Sequence, residues 1–179
     1  MDVIIPHLYS AGYFNGALAY AGIPRTQEHE ISQYQIEFCT EDCGTTYIDG
    51  VAYPIIKNRI FCAKPGQKRW TQLPFRCYYL HLVPSQGRIN ELLSSLPVCF
   101  EVPEEKMRSF VQQIGKLLTL RRAAKRAIAD KELQFYSEIL SFLSQLQQEV
   151  QRWKEEEAQN VSARNLQAIS ASISDLEEN

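Results

Sequence analysis

The sequence predicts an α+β protein: a small antiparallel β-barrel or sandwich followed by two C-terminal helices. Three observations predict it. The stretch TTYIDGVAYPI (45–55) contains two short β-runs joined by Asp49-Gly50. The run QYQIEF (33–38) alternates apolar and polar residues with period two. From about residue 103 the apolar residues recur at helical spacing instead.

In QYQIEF, Tyr34, Ile36 and Phe38 fall on one face and Gln33, Gln35 and Glu37 on the other, as in a half-buried strand. Gly44 interrupts this run and TTYI resumes it. Asp49-Gly50 is a strong hairpin signal, because a two-residue hairpin turn asks both central residues to adopt positive φ. VAYPII follows, and Pro54 points to a sheet edge or a bulge. RIFCA is a further short strand that stops at Pro65-Gly66, a turn pair. After QKRWTQL comes RCYYLHLV (76–83), rich in strand-forming residues. Short strands at such spacing predict an antiparallel barrel or sandwich over 14–101.

VPEEKMRSFVQQIGKLLTL begins a helix. Pro103 suits the first turn, and Glu104 and Glu105 suit the positive end of the dipole. Met107, Phe110, Val111, Ile114, Leu117 and Leu118 form its apolar stripe. A second helix is expected from about Asp130 to Ala158. Along it, Tyr136, Ile139, Leu143, Leu146, Val150 and Trp153 make a heptad-like seam that predicts dimerisation, with packing on the chain's own β-domain as the alternative. Leu140 and Phe142 give that helix a second apolar face. Leu166, Ile169, Ile173 and Leu176 continue the helical spacing to Asn179, and a longer parent protein is expected. The domain reading is 1–102 for the β-domain, 103–160 for a helical dimerisation element, and 161–179 for the start of a linker or helix.

With 179 residues and 45% hydrophobic content, the chain is long enough for a real core. A net charge of −2 gives no overall attraction to nucleic acid. No apolar run approaches the roughly 18–20 residues of a membrane helix, and MDVIIPHLYSAG lacks the features of a signal peptide. A cytoplasmic location is expected. Five cysteines, an odd number, fit free thiols in a reducing compartment. The basic run with Lys116, Arg121, Arg122, Lys125, Arg126 and Lys131 reads as a solvated helix face or connector.

The residues from Tyr34 to Val83, with Gly44, Asp49, Gly50, Pro65, Gly66, Tyr78, Tyr79 and His81, resemble the N-terminal sensor and dimerisation half of AraC-type transcription regulators. The two helices that follow also fit that pattern. The segment PGQKRWTQ departs from it, because many members carry a histidine just after the Pro-Gly pair. The resemblance implies a cupin-like barrel that binds a small effector, a sugar or related metabolite. It implies a homodimer, and contact with DNA through a helix-turn-helix domain outside this chain. It brings Trp70 and Tyr79 forward as ligand-binding residues, with Arg25, Arg69, Tyr47 and Phe38 as further candidates.

The alternative is a stand-alone cupin-type enzyme such as a sugar isomerase or epimerase. The usual cupin metal site needs an H-x-H pair, a carboxylate and a third histidine. The chain has only His7, His29 and His81, with no such pair, so no metal, no cofactor and no catalytic residue is assigned. Neither a G-x-S-x-G elbow nor a P-loop occurs. His81 reads as a hydrogen-bonded strand residue.

Overall fold

The computed structural model describes residues 4–124 and 129–177. Its elements run β1 (Leu8–Asn15), α1 (Gly16–Ala19), β2 (His29–Glu30), β3 (Tyr34–Phe38), β4 (Thr45–Ile48), β5 (Val51–Pro54), β6 (Arg59–Ala63), β7 (Lys68–Thr71), β8 (Arg76–Leu82), α2 (Arg88–Ser95), β9 (Cys99–Glu101), α3 (Glu104–Ala124) and α4 (Ala129–Glu177). The chain is therefore α+β. The strands form two antiparallel sheets, one ordered β1-β8-β3-β6-β9 and the other β2-β7-β4-β5.

The local signals act as their chemistry requires. Asp49 (φ 50°) and Gly50 (φ 78°) close the β4–β5 hairpin, with Ile48 opposite Val51. Pro54 ends β5, an edge strand, where its missing N–H leaves no ladder bond unmade. Gly66 (φ 87°) follows Pro65 in the turn between β6 and β7, which Gln67 N–H closes on the Lys64 carbonyl at 3.2 Å.

Alternation gives the five-stranded sheet two different faces. On its outer face Tyr34, Ile36, Phe38, Ile60, Leu80 and Leu82 join one buried cluster with α3 and α4. Phe38 meets Phe110 of α3 at 5.4 Å and Phe142 of α4 at 5.6 Å between ring centroids, and those two lie 5.3 Å apart. Burying each such side chain contributes about 1.5–3 kcal/mol. The helices thus share a core with the β-domain.

This packing corrects the expectation for the seam of α4. Ile139, Leu143, Leu146 and Val150 are buried within the chain, and Tyr136 and Trp153 pack half-buried against the same cluster. Their partners are the stripe of α3 (Met107, Phe110, Ile114 and Leu117) and the sheet, so this face is already covered without a second subunit. The helix is also longer than its seam. Its 49 residues continue through the segment expected to begin a linker, a length of about 73 Å at 1.5 Å per residue. Lys116 pairs with Glu138, and an Arg121 guanidinium N–H donates to the Tyr9 carbonyl. Lys125 and Arg126 lie outside the described residues. No helix among the described residues is long and apolar enough to cross a membrane.

Candidate functional site: the cavity between the sheets

The inner faces of the two sheets line a cavity of about 320 Å3 that is open to solvent on one side. Strand β3 places Gln35 and Glu37 there, because Ile36 and Phe38 face the helices. The register of β8 sets His81 opposite Gln35, and Tyr79 opposite Glu37. Strand β1 adds Ser10 and Phe14, and β7 of the other sheet adds Arg69 and Thr71. Tyr20, Thr26 and His29 reach the same space from the segment that runs between β1 and β3.

That segment lies along β7. Thr26 N–H donates to the Thr71 carbonyl at 2.9 Å, and Thr71 N–H donates to Thr26 Oγ1 at 2.9 Å. The Leu73 N–H donates to the Pro24 carbonyl at 2.8 Å.

A buried ion pair joins the sheets across the cavity. Arg69 Nη1 donates to Glu37 Oε1 at 2.8 Å and Nη2 to Glu37 Oε2 at 2.5 Å. Side-chain exposure is 4% for Arg69 and 10% for Glu37. Arg69 also donates to Gln35 Oε1 at 3.1 Å and to Thr46 Oγ1 at 3.1 Å. Burial opposes the guanidinium charge, but the charge and hydrogen bonds of Glu37 prevail and hold the Arg69 pKa above its ordinary value. The fork geometry is the one in which arginine binds a carboxylate most strongly.

His81 bonds Ser10 Oγ through Nδ1 at 3.2 Å, while its Nε2 is buried with no protein partner. Burial pushes the imidazole pKa down, Glu37 works against this, and Arg69 adds to it. Tyr79 lies beside His81, with ring centroids 4.9 Å apart, and its ring covers Gly12 of β1: a Cβ there would stand 3.2 Å from Tyr79 Oη. Cys77 lines the cavity, and its thiol pKa is raised by burial first and by Glu37 next.

Of the six ligand residues predicted from sequence, the structure brings Tyr79 and Arg69 into this cavity. Trp70 and Tyr47 face outward, because their neighbours Arg69, Thr71, Thr46 and Ile48 point in. The two rings stack on the outer surface at 3.8 Å and 8° between planes. Arg25 covers Trp70, its Cζ 5.0 Å from the ring centroid. These three clamp the segment before β2 onto β7 and line no part of the cavity. Phe38 belongs to the helix–sheet core, fully buried. Sequence reasoning missed Ser10, Gln35, Glu37 and Thr71; alternation from Arg69 reaches Thr71, whereas Ser10, Gln35 and Glu37 are brought in by the pairing of β1 and β3 with β8.

A larger cleft of about 560 Å3 lies where α4 passes β9. Within it Arg59 pairs with Glu101 at 2.6 Å and Arg152 with Glu156 at 2.5 Å. Size alone does not make it the better candidate; the inter-sheet cavity is where buried polar groups of both sheets converge. No three His, Cys, Asp or Glu side chains among the described residues are grouped to hold a metal ion.

No family model and no curated protein matches the chain.

Proposed function

We propose that the chain is the ligand-sensing and dimerisation module of an AraC-type transcription regulator, with the two sheets acting as the halves of a cupin-like barrel. A small effector binds between them. DNA is contacted through a domain outside this chain. The observation that carries this reading is the inter-sheet cavity, lined by both sheets and by the segment clamped along β7.

Occupancy acts on that segment in this account. Tyr20, Thr26 and His29 face the ligand, so a bound molecule favours the docked position over the released one. A ligand shifts such an equilibrium only through its differential affinity, and about 1.4 kcal/mol gives a tenfold change.

Pairing of two copies must use a face other than the buried seam. Leu133 of α4 is 72% exposed and Leu140, seven residues on, is half-buried. We infer that this outward strip supports the homodimer. Light scattering of the chain over a concentration range tests it: a mass near twice 20.6 kDa, reduced to the monomer by Leu133→Glu, is expected. A monomer at every concentration refutes the dimer.

A further inference from the structure

We propose that the inter-sheet cavity takes an uncharged ligand with an aromatic or similarly apolar body and one hydroxyl group, in preference to a polyhydroxylated sugar or an anion. This rests on the cavity being a ligand site, as proposed above, and narrows the chemical class of that ligand.

The cavity is rich in polar residues, and those around Arg69 already bond one another. Both Glu37 oxygens accept from Arg69, and Gln35 Oε1 accepts from the same guanidinium. The Thr71 hydroxyl pairs with that of Thr46 at 2.8 Å, and Thr26 Oγ1 takes the Thr71 N–H. A sugar brings several hydroxyls that must each replace a water partner, and a buried hydroxyl left unpaired costs about 1–3 kcal/mol. The same network leaves the cavity neutral. Arg69 is matched by Glu37, so an anion would enter a buried space with no uncompensated cation among the described residues deep in it.

Among the described residues that line the cavity, one buried side-chain atom has no protein partner: His81 Nε2. With Nδ1 held by Ser10, Nε2 is an acceptor in one tautomer and a donor in the other. A hydroxyl satisfies either, whereas a carboxylate satisfies only the second. The other end of the cavity is aromatic. Phe14 and Phe75 lie 4.7 Å apart, with Tyr20 6.2 Å from Phe14. Phe14 stands opposite Cys77 and Ser10 opposite His81. Four residue steps lead from Cys77 to His81, about 13 Å along β8. The cavity therefore has a hydroxyl-seeking end and an aromatic end, bridged by Tyr79.

The test uses four probes with the full chain: 2-phenylethanol, ethylbenzene, phenylacetate and glucose, titrated by amide chemical-shift NMR. The alcohol is expected to shift amides of β1, β3 and β8, with phenylacetate and glucose at least about tenfold weaker. His81→Phe keeps a ring but removes Nε2. It is expected to weaken the alcohol about tenfold and leave ethylbenzene unchanged, which also shows that the cavity remains folded. Equal loss of alcohol and hydrocarbon in that variant overturns the role of Nε2. Binding of glucose or phenylacetate as tight as the alcohol overturns the ligand class while leaving the sensing function standing. No cavity shifts with any probe overturns both.

Discussion

Arg69→Met should be strongly destabilising, although it removes a polar residue from the protein interior. The variant leaves Glu37 buried beside the cavity without its two guanidinium bonds of 2.8 and 2.5 Å. It also takes a donor from Gln35 and Thr46. Breaking a buried ion pair by removing one partner costs about 3–5 kcal/mol, most of it from the uncompensated charge. At about 2–4 °C per kcal/mol for a chain of this size, the melting temperature should fall by about 6–20 °C. The double variant Glu37→Leu/Arg69→Met removes both charges and keeps volume, so it should recover most of the loss and can exceed the wild type by about 1–4 kcal/mol. Urea unfolding followed by circular dichroism, with the slope held common to all four proteins of the cycle, measures each value. A single variant that loses under about 1 kcal/mol, or a double variant no more stable than the single, would refute the claim that the pair is buried and mutually dependent.

Three further outcomes are expected. Phe142→Ala removes the ring that joins Phe38 and Phe110, and should cost about 3–5 kcal/mol; a loss confined to the helices, with the sheets melting separately, would contradict the shared core. Burial holds the folded His81 pKa below its ordinary 6.5, in contact with Ser10, Tyr79 and Gln35 and near Glu37 and Arg69. The unfolded chain then binds the proton more readily, so His81 contributes stability above pH 6.5 that is lost as pH falls through the folded value; His81→Phe should flatten the acid side of the stability curve, and an unchanged curve would remove His81 as its cause. Burial pushes up the thiol pKa of all five cysteines. Alkylation followed by mass spectrometry should label the half-buried Cys43 and Cys99 first, and Cys39, Cys62 and Cys77 only on unfolding; prompt labelling of Cys77 in the native protein would mean a wider cavity mouth.

Much of the backbone was legible because local chemistry decided it. Asp49-Gly50 and Pro65-Gly66 fix turns by their own φ preferences, and Pro103 with two glutamates opens α3 at Glu104. What sequence did not settle was which face of each strand looks where. Alternation in β3 separates Ile36 and Phe38 from Gln35 and Glu37, but it cannot say that the polar set lies over a cavity. The same limit misplaced Trp70 and Tyr47, whose outward direction follows from Arg69 pointing in. The seam from Tyr136 to Trp153 carries the spacing of a pairing helix, yet the outer face of the sheet offers an equally apolar partner. That choice depends on contacts distant in the chain. Strand β1 and helix α2 were missed because LYSAGYFN mixes small and aromatic residues without clean alternation, and RINELLSS is a single short amphipathic stretch.

The central claim is that the space between the sheets is the effector site, and Gly12 offers the most direct test. A Cβ at Gly12 would stand 3.2 Å from Tyr79 Oη and 3.4 Å from its ring, and the further methyl groups of Gly12→Val should displace that ring within the cavity. The measurement is a thermal-shift screen of uncharged and charged small molecules on the wild type and on this variant, each first checked for a cooperative melt. Compounds that stabilise the wild type should lose most of that effect in Gly12→Val. Equal stabilisation of both proteins would place the ligand elsewhere and contradict the account.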